Sequence, residues 1–219
     1  MTSTDDTTSE GVSTHIKSKI RAKRGLVYNI GISDSLTPIT ANGKHVRAYS
    51  VWRGVLRRCY SVNFQKKRPN YEGCSVVEEW HSFANFEKWF TENYVEGYDL
   101  DKDLLVPGNC VYGPETCVFV APAINSLLQD KRATCGEFPL GVCFRKDLQK
   151  YTAQINTKTG RKRLGHFTTP LEAHRAYQLA KADVIAAAEI NNPRVRVALD
   201  LRIVQLRDDH LHGRITVKL

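Results

Sequence analysis

Residues 141–180 read GVCFRKDLQKYTAQINTKTGRKRLGHFTTPLEAHRAYQLA, and this stretch decides the fold of the C-terminal half of the chain. Residues 141–145, 151–156 and 161–167 each alternate apolar and polar side chains, which is typical of half-buried strands. Residues 157–160 supply a turn between the second strand and the third. The stretch therefore predicts three short basic strands that lead directly into a helix.

The helix that follows the strands has a complete start signal. Thr169 is a good N-cap, Pro170 suits the first helical position, and Glu172 stands three residues after Thr169, which is the capping-box pattern. We expect the helix to lie closely on the sheet through a face made of Ala173, Ala176, Tyr177, Ala180 and Val184. The opposite face of the sheet stays open and is expected to carry Arg145, Tyr151, Gln154, Asn156, Lys158, Arg161 and Arg163.

The order of these short motifs resembles the plant ethylene-response-factor (APETALA-type) DNA-binding domain. The likeness rests on Tyr151, Ala153, Ile155, Leu164, Gly165, Phe167, Glu172, Ala173, Ala176 and Tyr177. It implies a three-stranded sheet that packs on one helix and reads the major groove of double-stranded DNA with its strands. Cys143 and Tyr151 stand where the family usually has arginine and tryptophan, so the family's base preference does not carry over.

For DNA binding, we expect cationic side chains of this module to contact phosphates or guanine edges, while Gln154 and Asn156 read adenine. The cationic set is Arg145, Lys146, Lys158, Arg161, Lys162 and Arg163. Tyr151 is expected to be the aromatic residue of the interface.

Charge supports a polyanionic partner. The chain carries a net charge of +9 and has a pI of about 9.3, which favours nucleic acid. Residues 69–117, however, hold ten carboxylates against two lysines; such a block repels the DNA backbone and is more typical of a metal-dependent nuclease. The first ten residues are polar and acidic, and no run of eighteen apolar residues occurs, so we expect a soluble, cytoplasmic protein without a membrane partner. The composition leaves the oligomeric state open.

The middle of the chain predicts two helices that precede a carboxylate-rich strand. Residues 49–60 have helical apolar spacing, and Arg53 and Arg57 lie on the other side, where they can contact phosphates. Ser82 caps a second helix, whose aromatic stripe of Phe83, Phe86, Trp89 and Phe90 is expected to be core. A strand over 98–106, a turn at 107–109, a return strand that runs with a bend from 111 to 120, and a helix from Pro122 follow.

This order resembles the ββα-metal fold of the His-Asn-His (HNH) endonucleases, in particular a phage group of homing-type enzymes. The likeness is carried by Trp52, Arg58, Cys59, Tyr60, Glu79, Trp80, Leu100, Asp101, Lys102, Asp103, Tyr112, Pro114, Glu115 and Asn125. It implies metal-dependent cleavage of phosphodiesters, with Mg²⁺ or another divalent metal held by Asp101 and Asn125, or by Asp101 and Asp103. Lys102 would then neutralise charge or position water.

Two substitutions within the HNH-like motif leave two functions open. Lys102 and Thr116 stand where the motif usually has histidine and asparagine. One interpretation is an endonuclease in which the central module cuts DNA and the C-terminal module targets it. The alternative is a non-catalytic DNA-binding protein on a degenerate HNH scaffold.

The sequence as a whole predicts an α+β protein with five segments. These are a tail over 1–24, a hairpin over 25–48, an HNH-like module over 49–130, an ethylene-response-factor-type domain over 136–190, and C-terminal strands over 191–219. Six cysteines form no Cys-x-x-Cys pair, which favours buried thiols over structural zinc.

Overall fold

The computed structural model describes residues 25–128, 137–157 and 159–217. The expected tail over 1–24 and Lys158 lie outside these residues. The protein is of mixed α+β class, as the sequence predicts, and its sheets are small. The chain divides into two compact units, the first formed by residues 1–103 and 108–119 and the second by residues 104–107 and 120–219. Within the described ranges, no helix combines the length and apolarity that a membrane span needs.

The described part of the first unit has three helices, two of them long, with short strands around them. A two-residue hairpin joins β1 (Thr40–Ala41) to β2 (Lys44–His45), within the segment expected to be a hairpin. The helices are α1 (Arg47–Tyr60), the short α2 (Val62–Lys67) and α3 (Phe83–Asn93). Single 3₁₀ turns lie at Pro69–Tyr71 and Glu78–His81.

Aromatic side chains make the core of the first unit, as the stripe on the second predicted helix indicates. Trp52 of α1 and Phe83 of α3 are fully buried, with their ring centroids 5.3 Å apart. The indole of Trp52 also donates a 2.7 Å hydrogen bond to the carbonyl of Trp80. Ser82 caps α3 by accepting a hydrogen bond from the amide of Asn85. The helical spacing of apolar residues thus positions both helices on one core.

The short strands of the first unit pair differently from the expected strand, turn and return strand. The strands are β3 (Ser75–Val76), β4 (Asp99–Asp101), β5 (Val111–Tyr112) and β6 (Val118–Val120). β5 pairs in parallel with β3, whereas β6 pairs with β4. The expected return strand is therefore two separate strands with different partners, because the chain turns at 113–116, where Cys117 N donates to the Gly113 carbonyl.

The second unit contains the three-stranded sheet that the sequence predicts. After α4 (Pro122–Leu128) come β7 (Val142–Arg145), β8 (Lys150–Thr157) and β9 (Gly160–Phe167), in antiparallel order β7-β8-β9. α5 (Pro170–Ala186) packs on this sheet and starts with the expected capping box of Thr169 and Glu172. The predicted strand, turn and cap signals are confirmed here.

The expectation of C-terminal strands over 191–219 is wrong. A long helix, α6 (Pro193–Leu211), occupies most of this segment and packs on α5. Asn192 caps it through the amides of Arg194 and Val195, and Pro193 takes the first helical position. Its buried residues recur at helical spacing: Val195, Ala198, Leu199, Arg202, Ile203 and Leu206. Three apolar residues are exposed on the other side of the helix: Val197, Leu201 and Val204. Together with the buried residues they produce an alternation of apolar and polar residues that is typical of a strand.

Because α6 covers it, α5 is buried on two sides and not only on the sheet side. Ala173 and Tyr177 are buried as expected, but His174, Gln178 and Lys181 are buried as well. His174 bridges the chain: its Nδ1 lies 2.9 Å from the Leu140 carbonyl and its Nε2 accepts a hydrogen bond from the Thr216 amide. These contacts make residues 213–217 part of the folded unit.

Candidate nucleic-acid interface

The register of the three strands assigns each side chain to one of two sheet faces. Directly opposite residues in an antiparallel pair point to the same side, and neighbours along a strand alternate. Ala153 and Ile155 pack with the helix side. Their neighbours Gln154 and Asn156 therefore point away from α5, and their partners Arg163 and Arg161 point the same way. Arg145 lies opposite Lys150. Lys150 is on the same side of β8 as Gln154 and Asn156, so Arg145 and Lys150 also lie on this open face.

A bulge in β9 makes this arrangement possible. Ala153 pairs with Gly165, but the next residue, Gln154, pairs with Arg163, so Leu164 is the extra residue. Leu164 packs against the helix-side core. The bulge therefore directs Leu164 inward, while Arg161 and Arg163 stay together on the open face.

Two predicted interface residues lie on the other side of the sheet. Tyr151 pairs with Phe144 and Phe167 on the helix side, and its ring centroid is 5.0 Å from that of Phe144 and 5.3 Å from that of Phe138. The expectation that Tyr151 lies on the open face is wrong, because its ring completes an aromatic cluster at the edge of the core. Lys162 pairs with Ile155 and so also belongs to the helix side, although it is exposed.

The turn between β7 and β8 holds further charge near the open face. Lys146 is exposed in this turn. The guanidinium of Arg145 donates two hydrogen bonds to the Asp147 carboxylate, of 2.9 and 2.7 Å, and both side chains are about half exposed. This bidentate ion pair fixes the orientation of Arg145. A DNA phosphate would have to compete with Asp147 for the guanidinium.

The open face also contains polar residues that the sequence reasoning missed. Thr152 and His166 are opposite each other and lie in hydrogen-bond contact, with Oγ1 and Nδ1 2.9 Å apart. Gln154 Nε2 donates to the sulfur of Cys143 at 3.2 Å. The strict alternation of residues 151–156 could have indicated Thr152, whereas His166 reaches this face only through the bulge. Together these side chains make a continuous polar strip along the centre of the sheet.

The basic residues of the first unit lie on α1, as predicted. Arg53 is exposed, and its Nη1 lies 3.4 Å from His45 Nε2. Arg57 is exposed and its guanidinium stacks over the ring of Phe64, 4.7 Å from the centroid. Stacking leaves the edge of the Arg57 guanidinium available for hydrogen bonds, so Arg57 can still contact phosphate.

The predicted catalytic residues of the first unit surround one buried lysine. Lys102 is only 8% exposed, and its ammonium group contacts the Asp103 carboxylate and donates a 2.7 Å hydrogen bond to the Asn109 carbonyl. Asn109 Nδ2 returns a 2.9 Å hydrogen bond to the Lys102 carbonyl. One carboxylate oxygen of Asp101 accepts the Asp103 amide at 2.8 Å. Lys102 is thus the centre of a tight loop between β4 and β5.

The environment of Lys102 keeps it protonated. Burial alone would lower the pKa of its ammonium, but the hydrogen bond and the charge of Asp103 outweigh burial, and the net pKa lies above its ordinary value. A lysine with a raised pKa cannot accept a proton near neutral pH. Lys102 therefore acts as a fixed cation that holds the loop together, and it does not replace the HNH histidine as a base.

Thr116, which stands where the HNH motif has asparagine, is also used by the local fold. Its hydroxyl donates a 2.7 Å hydrogen bond to the Val111 carbonyl. This bond holds the turn that separates β5 from β6. The side chain has no amide with which to orient a catalytic group.

The magnesium site that the HNH resemblance implies stays a prediction. One oxygen of the Asp103 carboxylate contacts the Lys102 ammonium, which would compete with a divalent cation for this carboxylate. Asn125 lies on α4. Within residues 25–128, 137–157 and 159–217, no three His, Cys, Asp or Glu side chains are grouped so that they could hold a metal ion.

Four cysteines lie in the first unit, in different environments. Cys59, Cys74 and Cys117 are buried, whereas Cys110 is exposed. Burial raises the pKa of the Cys59 thiol to about 12 and that of Cys117 to about 11, and it also raises the pKa of Cys74. The three buried thiols therefore stay protonated, as expected for cysteines that serve as small core residues.

Comparison with protein-family models, with curated proteins and with solved structures gives no match to this chain.

Proposed function

We propose that this protein binds double-stranded DNA through the open face of the β7-β8-β9 sheet, and that its first unit is a non-catalytic scaffold of nuclease-like design. The observation that carries the binding proposal is the alignment of Arg145, Gln154, Asn156, Arg161 and Arg163 on the sheet face that points away from α5. The overall charge of +9 agrees with a polyanionic partner.

The side chains on this face suit the two tasks of a DNA interface. Arginine donates to phosphate oxygens, or in bidentate fashion to guanine, and the side-chain amides of glutamine and asparagine match the donor and acceptor pattern of adenine. Arg163 lies opposite Gln154, and Arg161 lies opposite Asn156. Each cross-strand pair thus offers one cation beside one amide, which is a suitable unit for reading a base while the neighbouring phosphate is held.

The salt dependence of DNA binding tests the proposed face. We expect Arg161→Ala with Arg163→Ala to weaken binding about 10- to 100-fold and to reduce the slope of log affinity against log salt by about two, because each phosphate contact contributes about 0.9 to that slope. The measurement is a titration of fluorescent duplex DNA at several salt concentrations. The matched control is Arg175→Ala with Arg207→Ala, which removes the same charge from exposed positions on α5 and α6.

The control pair separates the proposed face from a general effect of net charge. If Arg161 and Arg163 are at the interface, only their variant changes the slope by two. An equal change in both variants, or none in either, would remove this face from the interface and contradict the proposal.

The scaffold part of the proposal rests on the Lys102 ion pair. A carboxylate that is paired with a buried ammonium is a weaker metal ligand, and a lysine that stays protonated is a poor base. We therefore expect no nicking of supercoiled plasmid by the wild-type protein with Mg²⁺ or Mn²⁺ above the level of Asp101→Ala. Metal-dependent nicking that Asp101→Ala abolishes would instead establish the endonuclease function and refute the scaffold.

A further inference from the structure

Two cysteines of the first unit stand side by side at the start of a parallel strand pair. In this pair, Ser75 lies opposite Val111 and Val76 lies opposite Tyr112. The Ser75 amide donates a 2.9 Å hydrogen bond to the Cys110 carbonyl, as the parallel pairing of Ser75 with Val111 requires. Cys74 and Cys110 directly precede the paired residues, so they lie next to each other.

This placement suits a disulfide. Adjacent strands lie about 4.7–4.9 Å apart, which falls within the separation of roughly 4.4–6.8 Å that disulfides span between their Cα atoms. Burial raises the pKa of the Cys74 thiol, and Cys110 lies close enough to add to this shift; both residues are free thiols in the structure. The two thiols thus lie close to each other in the fold.

The two thiols differ in their access to solvent. Cys110 is exposed, whereas Cys74 is 5% exposed. Small oxidants in solution can therefore reach the sulfur of Cys110 more easily than that of Cys74. Cys110 has the position of an attacking thiol, and Cys74 has that of the thiol that resolves the product.

We propose that Cys74 and Cys110 form a reversible disulfide when the folded protein meets hydrogen peroxide. The Cys110 sulfur attacks one peroxide oxygen, so an S–O bond forms, the O–O bond breaks, and one water leaves. The Cys74 sulfur then attacks the resulting sulfenic acid, the S–S bond forms, and the S–O bond breaks. The departing hydroxide takes the thiol proton as a second water, so the two thiols together give two electrons to the peroxide.

The surroundings make this pair selective over the neighbouring cysteines. Cys59 and Cys117 are buried in the core, with burial raising the pKa of each. A disulfide between 74 and 110 would close the part of the chain that contains α3, β4 and the Lys102 loop. This modification concerns the first unit alone and does not depend on the proposed DNA binding.

Peptide mapping after oxidation tests the proposal. The full-length protein is treated with a small excess of hydrogen peroxide, its remaining thiols are alkylated, and it is digested without reductant for mass spectrometry. We expect a cross-linked peptide pair that joins Cys74 to Cys110, its loss on treatment with dithiothreitol, and a rise in the melting temperature of roughly 5–10 °C in the oxidised protein. Cys110→Ser should abolish both effects, while the control Cys143→Ser should keep both.

The same experiment in urea shows whether the proximity of Cys74 and Cys110 in the folded protein causes their preferential cross-linking. In the unfolded chain, Cys74 should cross-link with several cysteines without preference. The proposal is overturned if native Cys110 is oxidised to sulfinic or sulfonic acid while Cys74 stays alkylated, if Cys110 pairs with another cysteine, or if neither thiol reacts. Because Cys110 is exposed, its serine variant is expected to fold.

Discussion

Replacement of Gly141 by alanine is expected to destabilise the second unit by about 3–4 kcal/mol. Gly141 has a φ of +77°, where a residue with a Cβ is strained by about 1–2 kcal/mol. An added Cβ would also lie 2.0 Å from Cδ2 of Tyr177. Tyr177 is buried against Leu140 and Ile155, so its ring can move only by disturbing the contact between α5 and the sheet.

Gly213→Ala separates backbone strain from this clash. Gly213 lies in the same unit with a φ of +63°, but nothing lies within 4 Å of an added Cβ. We expect this variant to lose only about 1–2 kcal/mol. Urea unfolding followed by far-ultraviolet circular dichroism measures both losses. Equal losses in the two variants would show that Tyr177 does not pack against Gly141.

Tryptophan fluorescence gives an internal reference for Gly141→Ala. All three tryptophans, Trp52, Trp80 and Trp89, lie in the first unit. Their fluorescence transition should therefore keep its midpoint in the variant, while the circular dichroism signal of α5 and α6 is lost at lower urea. A matching shift in the fluorescence transition would show that the variant does not act on the second unit selectively.

The second large effect is expected in the first unit, where Trp52→Ala should cost about 3–5 kcal/mol. The side chain is fully buried, its ring contacts those of Tyr49 and Phe83, and its indole donates to the Trp80 carbonyl. Alanine leaves a cavity and removes the only side-chain donor to this carbonyl that the described residues provide. Far fewer apolar contacts then hold α1 to α3.

Trp52→Phe serves as the matched variant because it keeps an aromatic ring but removes the indole donor. We expect it to lose about 1–3 kcal/mol, mainly from the unpaired carbonyl and the smaller ring. Hydrogen exchange of peptides from α1 and α3 measures both variants without relying on the altered fluorescence. A loss below about 1 kcal/mol for Trp52→Ala would contradict the packing of the first core.

Local signals in the sequence predicted much of the fold. The capping box at Thr169 and Glu172 and the aromatic spacing on α3 each depend on residues close in the chain, and both are confirmed. The errors arose where contacts between residues far apart in the sequence determine the secondary structure or the strand pairing. α6 has apolar residues on both sides, so its periodicity is weak, and the helical signal lay in Asn192 and Pro193 instead. The expected return strand failed because β5 pairs with β3, which lies far earlier in the chain.

The candidate site could be predicted only in part for the same reason. Arg161 and Arg163 were placed on the open face, but Tyr151 was placed there too, although alternation along β8 puts it on the same side as Ala153 and Ile155. The role of Lys102 as a buried cation in the loop between β4 and β5 could not be predicted from the sequence, since it depends on the carbonyl of Asn109 and on the burial of the loop. Both features follow from tertiary structure and have no signature in the local sequence.

The bulge at Leu164 sets the phase of the whole third strand. Arg161, Arg163, Gly165 and Phe167 are all odd-numbered, so an uninterrupted strand would turn the arginines to the same side as Phe167, under the helix. One inserted residue reverses the phase halfway along, so the same strand presents an apolar half to the core and a cationic half to solvent. The number of residues in the third strand thus decides which side chains reach this surface. Deletion of the bulge residue would turn Arg161 and Arg163 towards the helix side, although the net charge of the chain would not change.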